Sequence, residues 1–163
     1  DLAKKLVNEG KKADLVIGNN VLAHVPNLND FLSGLNILTP INGIITLEFP
    51  HLLKLLQNNQ FDTIYHEHFS YFSLITLEKS FSRHGLVIFD VDELTTHGGS
   101  LRIYLKHIDS NQLPISPKVK KLQNIEIKSG LTHWIFGQIK FLMLCWLRTS
   151  NMSPMFPILD MRV

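Results

Sequence analysis

"ADLVIGNNVLAHVPNLNDFLSGLNILTPINGIITLEF", residues 13–49, holds a strand, a helix and a second strand in succession. "ADLVIGNN" (13–20) is a short run with branched apolar residues that ends in polar ones. That pattern predicts a buried strand delivering Asn19 and Asn20 to an edge. "VLAHVPN" reads as a loop, and Pro26-Asn27 sets up a helix over "LNDFLSGLNIL", in which Leu28, Phe31, Leu32 and Leu35 share a face. Pro40 stops that helix, Asn42-Gly43 bends the chain, and "IITLEF" (44–49) reads as a second buried strand.

Downstream, "HLLKLLQ" predicts a short helix, and "TLEKSFSRHG" a longer one with Thr76 as N-cap and Gly85 past its end. "LVIFDVDEL" (86–94) and "SLRIYLKH" (100–107) alternate as strands do. Only the five residues "TTHGG" join them, so they should pair as an antiparallel hairpin. The sum is an α/β chain with a mostly parallel sheet and one reversed strand at its edge. Ligands of such sheets bind beyond the carboxyl ends of the strands. Three polar clusters fall at those ends, "GNNVLAH" (18–24), "EFPH" (48–51) and "YHEH" (65–68), and they should share one rim.

The chain has 163 residues, 45% apolar and 18% charged, a composition of a soluble globular domain. A net charge of +2 with scattered Lys and Arg gives no case for nucleic acid. The lone Cys145 excludes an internal disulfide framework and fits a reducing, cytoplasmic compartment. The longest apolar run, "WIFGQIKFLMLCWL" (134–147), has fourteen residues with a lysine inside, too short and interrupted to span a bilayer. No signal peptide is visible. The chain begins at Asp1 in what reads as the last turns of a helix closed by Gly10, the expectation being a fragment of a longer protein.

Tyr65, His66, Glu67 and His68 put a phenol, two imidazoles and a carboxylate in four consecutive positions. A positioned imidazole takes a proton at neutral pH, a carboxylate can orient it, and a phenol can donate to a developing oxyanion. Together these groups suit proton abstraction beside a carbonyl. In extended backbone His66 and His68 would point one way and Tyr65 and Glu67 the other, leaving one histidine to face a substrate. The same cluster reads equally as a structural knot beneath Phe69, Tyr71 and Phe72. His-X-His lacks the further ligands that zinc needs, so no metal is expected. Asn19, Asn20, His24, Glu48 and His51 each have a capping, turn or packing role as alternative. "THGGS" (96–100), with His97 and Gly98, is either a tight hairpin loop or a place where backbone amides approach a ligand.

Three stretches carry a resemblance: "ADLVIGNNVLAHVPNLNDF", "GIITLEFPHLLKLLQNNQFDTIYHEHFSYFSL" and "HGLVIFDVDELTTHGGSLRIY". They resemble the class I, S-adenosylmethionine-dependent sugar C-methyltransferases, which methylate a carbon of a nucleotide-linked 4-keto deoxysugar. The resemblance covers residues 1 to 131 with the elements in family order. It implies the second half of a Rossmann-like methyltransferase sheet. By motif position it also implies His68 as the base, with Tyr65 and Glu67 as its partners. Asn19, Asn20 and His24 then fall beside the cofactor, and Glu48, His51, His66, His97 and Gly98 beside the substrate. The small-molecule partner implied is a nucleotide sugar, with neither nucleic acid nor membrane involved.

The departures define further expectations. The family's zinc-binding N-terminal domain and the glycine loop that holds the cofactor have no counterpart here, and the chain offers no G-x-G-x-x-G. Zinc is therefore expected only in that missing domain, and this chain alone should bind the cofactor weakly and be inactive, with a long apolar strand edge left uncovered. Residues 1–108 read as the carboxyl half of the core, 109–131 as the start of a C-terminal region, and 132–163 as a divergent tail from a shifted reading frame. Two other functions stay open: a degenerate, non-catalytic domain that binds a nucleotide sugar or a partner chain, and an O- or N-methyltransferase for a small molecule.

Overall fold

The structure, a computed structural model, describes residues 1–131. The divergent tail expected over 132–163 lies outside the described residues. Helix α1 (Leu2–Asn8) leads through Gly10, at φ 75°, into strand β1 (Leu15–Asn19). After a short 3-10 turn at Leu22–His24, helix α2 (Leu28–Leu38) crosses to strand β2 (Ile44–Pro50). The Asn27 side chain caps α2 by accepting from the Asp30 amide at 3.1 Å, one of the amides a helix start leaves unpaired. Leu32 and Leu35 of α2 are buried, with Leu28 and Phe31 packed beside them, as their spacing predicts.

Helix α3 (Leu52–Gln57) and a 3-10 turn at Phe61–Thr63 precede the YHEH stretch. Helix α4 (Leu74–Ser82) then leads to β3 (Leu86–Leu94) and β4 (Ser100–His107), and α5 (Pro117–Lys128) packs on β3 and α4. The expected N-cap of α4 moves three residues upstream. Ser73 holds the cap position, and its hydroxyl accepts from the Thr76 amide, because an N-cap oxygen reaches the amide two or three residues on.

The sheet order is β1-β2-β4-β3, with β1 parallel to β2 and β4 antiparallel to both of its neighbours. Three strands thus run the same way, and the chain is mixed α/β. The reversed strand is not at the edge, as the hairpin suggested. It is inserted between β2 and β3, where Leu101, Ile103 and Leu105 are fully buried between its neighbours. A strand with that apolar content loses more by facing water than β3, whose Asp90, Asp92 and Glu93 suit an edge. One main core joins the sheet to α2, α4 and α5, and a smaller one gathers Leu52, Leu53, Leu55, Tyr71 and Leu131. At the other edge, Leu15 and Ile17 of β1 are exposed, so β1 is not the buried strand its apolar run suggests, because nothing among the described residues covers that side of it. Among the described residues no helix is long and apolar enough to cross a membrane.

Candidate active site

A cleft of about 320 Å³ opens beyond the carboxyl ends of β1 and β2, lined by Asn20, His24, Asp62, Tyr65, His68 and His97 among others. Residues 65–68 are not extended. The His68 amide donates to the Tyr65 carbonyl at 3.1 Å, closing a turn with His66 and Glu67 at its centre. A turn brings its first and fourth residues together. Tyr65 and His68 therefore face each other, with ring centroids 4.2 Å apart, and His66 and Glu67 stand exposed at the tip. This corrects the alternating arrangement: the partner of the inward histidine is Tyr65.

The hydrogen bonds of His68 fix its tautomer. Its Nδ1 lies 2.9 Å from the Thr63 carbonyl, which can only accept, so Nδ1 carries the hydrogen. Neutral His68 then has its lone pair at Nε2, 3.0 Å from the Tyr65 hydroxyl, which donates to it. Partial burial holds the imidazole below its ordinary value of 6.5, and the nearby His24 pushes the same way. The Thr63 bond and the charge of Glu67 oppose this without overturning it. His68 is thus a neutral proton acceptor near pH 7, oriented by the main chain at Thr63.

His24 lies across from His68, ring centroids 4.8 Å apart, and its Nδ1 donates to the Glu67 carbonyl at 2.9 Å. The Phe69 and Ser70 amides donate to the Ala23 carbonyl, so the two loops are stitched together at the cleft wall. Asn20, at φ 55°, donates its backbone amide to the Glu48 carbonyl and sets its side chain 3.3 Å from His97 Nε2. His97 also stands in the left-handed region, at φ 51°. Its loop rests against the chain just past α3, where the side chains of Asn58 and Gln60 donate to the Gly98 carbonyl.

The cleft therefore unites Asn20, His24, Tyr65, His68 and His97 of the residues singled out from sequence. Asn19 ends β1, exposed, outside the lining. Glu48 is buried below the cleft, where it accepts from Arg102 Nη2 at 2.6 Å and Thr96 Oγ1 at 2.9 Å. Burial acts to raise its carboxyl, but these two partners together hold it below the usual carboxylate value. It works as a strut under the His97 loop. His51 does not reach the cleft at all: it is fully buried and bonds Glu126 at 2.7 Å. Gly98 takes part through its carbonyl only.

Two lining residues and one buried partner of His51 escaped the sequence reading. Thr63 acts through its carbonyl, which no side-chain pattern announces. Asp62, in the same turn, lines the cleft, and its carboxylate close to the YHEH motif was the one available signal. Glu126 lies seventy-five residues from His51, a separation at which no local pattern reports contact.

A protein-family profile described as a methyltransferase domain matches residues 2–91. The chain is 41% identical over 104 residues to the C-methyltransferase NovU of Streptomyces niveus, an alignment covering 64% of this chain and 25% of NovU. The chain thus spans about a quarter of the length of that relative. Among solved structures, it is similar to magnesium protoporphyrin IX methyltransferase (ChlM) from Synechocystis with bound SAH. There the TM-score is 0.47 at 20% identity, over 66% of this chain and 48% of that one.

Proposed function

The chain belongs to the methyltransferase domain family, and from that premise we propose that it serves S-adenosylmethionine-dependent methylation of a carbon, with His68 as general base. The acceptor we infer is a nucleotide-linked 4-keto deoxysugar, methylated at a carbon beside the ketone. The observation that carries the reading is the Thr63–His68–Tyr65 chain. An imidazole with its proton locked at Nδ1 offers Nε2 to the cleft, next to a hydroxyl donor.

The chemistry then follows from these groups. The C–H bond beside the ketone breaks, its proton goes to His68 Nε2, and the electron pair spreads onto the ketone oxygen. The Thr63 carbonyl keeps its bond to Nδ1–H throughout and so supports the imidazolium that forms. Substrate displaces the Tyr65 hydroxyl from Nε2 before that lone pair takes the proton, and the displaced hydroxyl is free to donate to the oxyanion. Glu67, whose charge favours protonated His68, lowers the cost of the same step. Asn20 and His24 offer a carboxamide and an imidazole on the cleft wall beyond β1, and would hold one side of the methyl donor. When bound, S-adenosylmethionine supplies an electrophilic methyl group to the carbanion. The 41% identity to a C-methyltransferase supports carbon as the acceptor.

The test is to incubate the protein in full-length form with methyl-labelled S-adenosylmethionine and a nucleotide-linked 4-keto deoxysugar, and to locate the label by NMR. A new carbon–carbon bond beside the ketone is expected. Label on oxygen or nitrogen would move the chain to another class of methyl acceptor. Sugar binding with no transfer in protein that also binds the methyl donor would make it a recognition module.

A further inference from the structure

The segment that carries Tyr65 and His68 leaves the sheet at His51 and returns at Leu74, where α4 begins. We propose that Glu126 of α5 is a positioning residue for the site, its buried carboxylate clamping both ends of this segment to each other. At the departing end, Glu126 Oε1 takes a hydrogen bond from His51 Nε2 at 2.7 Å. At the returning end, the same oxygen accepts from the Leu74 amide at 2.7 Å, and Oε2 accepts from the Ile75 amide at 3.0 Å.

Both Glu126 and His51 have 0% exposure. A carboxylate taken wholly out of water is costly unless its oxygens are satisfied, and here three donors satisfy them. Two of these donors are first-turn amides of α4, which a helix leaves unpaired and whose positive end favours an anion. A residue needed only to dock α5 could be apolar, as Leu122 one turn earlier is. A further contact joins the two ends at the same place, the Leu52 amide donating to the Phe72 carbonyl, while the His51 amide donates to the Gly99 carbonyl of the hairpin loop. The clamp therefore reaches the His97 loop as well. Leu131, just beyond α5, adds to the small core under the segment, with Leu52, Leu53, Leu55 and Tyr71.

The catalytic meaning of the clamp rests on His68 being the base, whereas its geometry is measurable without turnover. In Glu126→Gln, amides of residues 60–71 should exchange with deuterium about 10- to 100-fold faster, the size expected for losing hydrogen bonds to a charged group. Amides of β2 and β4 should keep their rates. In the same variant the nitrogen-15 shifts of His68 should lose the signature of a hydrogen held at Nδ1. Gln123→Ala is the control, because Gln123 ties α5 to Glu78 of α4 and touches neither end of the segment. It should leave both readouts as they are. Unchanged exchange in Glu126→Gln, or the same effect in Gln123→Ala, overturns the proposal. If Glu126→Gln does not fold, His51→Gln removes the imidazole arm alone. It should raise exchange over 60–71 by a smaller factor, and no rise there also overturns the clamp. Failure of methyl transfer with the clamp intact would fault the reaction and leave Glu126 in its role.

Discussion

The Tyr65 hydroxyl donates to His68 Nε2 at 3.0 Å, so the atom that would take the substrate proton in the proposed reaction is covered by a phenol until substrate arrives. In the proposed reaction Tyr65 has two duties in sequence: to hold the base in place, and then to donate to the oxyanion. Tyr65→Phe keeps the ring and removes both. Turnover should fall about 100- to 1,000-fold, the usual effect of losing one oxyanion donor. Binding of the sugar should change far less, which steady-state kinetics separates as a loss in kcat with little change in KM.

The pH dependence follows from the direction of the His68 shift. A base works when neutral, so activity rises as pH climbs through its pKa. Because burial and then His24 hold His68 below its ordinary 6.5, the acid limb of kcat/KM should have its midpoint below that pH. Replacing His24 with Gln removes one downward influence, and the limb should move toward higher pH. An NMR titration of His68 in the two proteins measures the same displacement without substrate.

Glu48 and Arg102 make the strut beneath the His97 loop, with Thr96 as third member. Glu48→Gln keeps the shape and removes the charge, and should cost about 1–3 kcal/mol of stability, as loss of charged hydrogen bonds does. The sign with pH is fixed by a carboxyl held below its ordinary 4.5. Its stabilisation is complete above that pH and is lost as pH falls through the lowered value. Urea unfolding between pH 3 and pH 7 should show a steeper acid loss in the unaltered protein than in Glu48→Gln.

Gly99 has φ 129°, and a Cβ there would sit 2.7 Å from both Cβ and Cγ of Lys54. Gly99→Ala should be destabilised by about 1–3 kcal/mol from backbone strain alone. Since the Gly99 carbonyl also receives the His51 amide, the damage should reach α3. Denaturant unfolding gives the first quantity, and deuterium exchange over residues 51–57 the second.

The elements themselves were legible because their signals are local. The helix over 28–38 has a side-chain cap and a one-sided apolar face, and the two hairpin strands alternate around a five-residue loop. Two features were not legible, for different reasons. The turn at Tyr65–His68 holds no Gly, Pro or Asn, yet one backbone hydrogen bond suffices to form it, and most residues accept such a turn. The place of β4 between β2 and β3 depends on which hairpin strand pairs with a partner fifty residues upstream, and the hairpin pattern is the same in either order. Of the called side chains, Asn20, His24, Tyr65, His68 and His97 do line the cleft, whereas Thr63 and Glu126 were not among the calls. The first works through its backbone, and the second meets its partners only in the folded chain.

The most direct measurement is solvent deuterium wash-in at the carbon beside the ketone of the sugar nucleotide, followed by NMR with no methyl donor present. Protein with His68 should incorporate deuterium, and His68→Asn should do so about 100- to 10,000-fold more slowly while still binding the sugar. Equal wash-in by both proteins would contradict the account, because the proton would then be leaving to some group other than this imidazole.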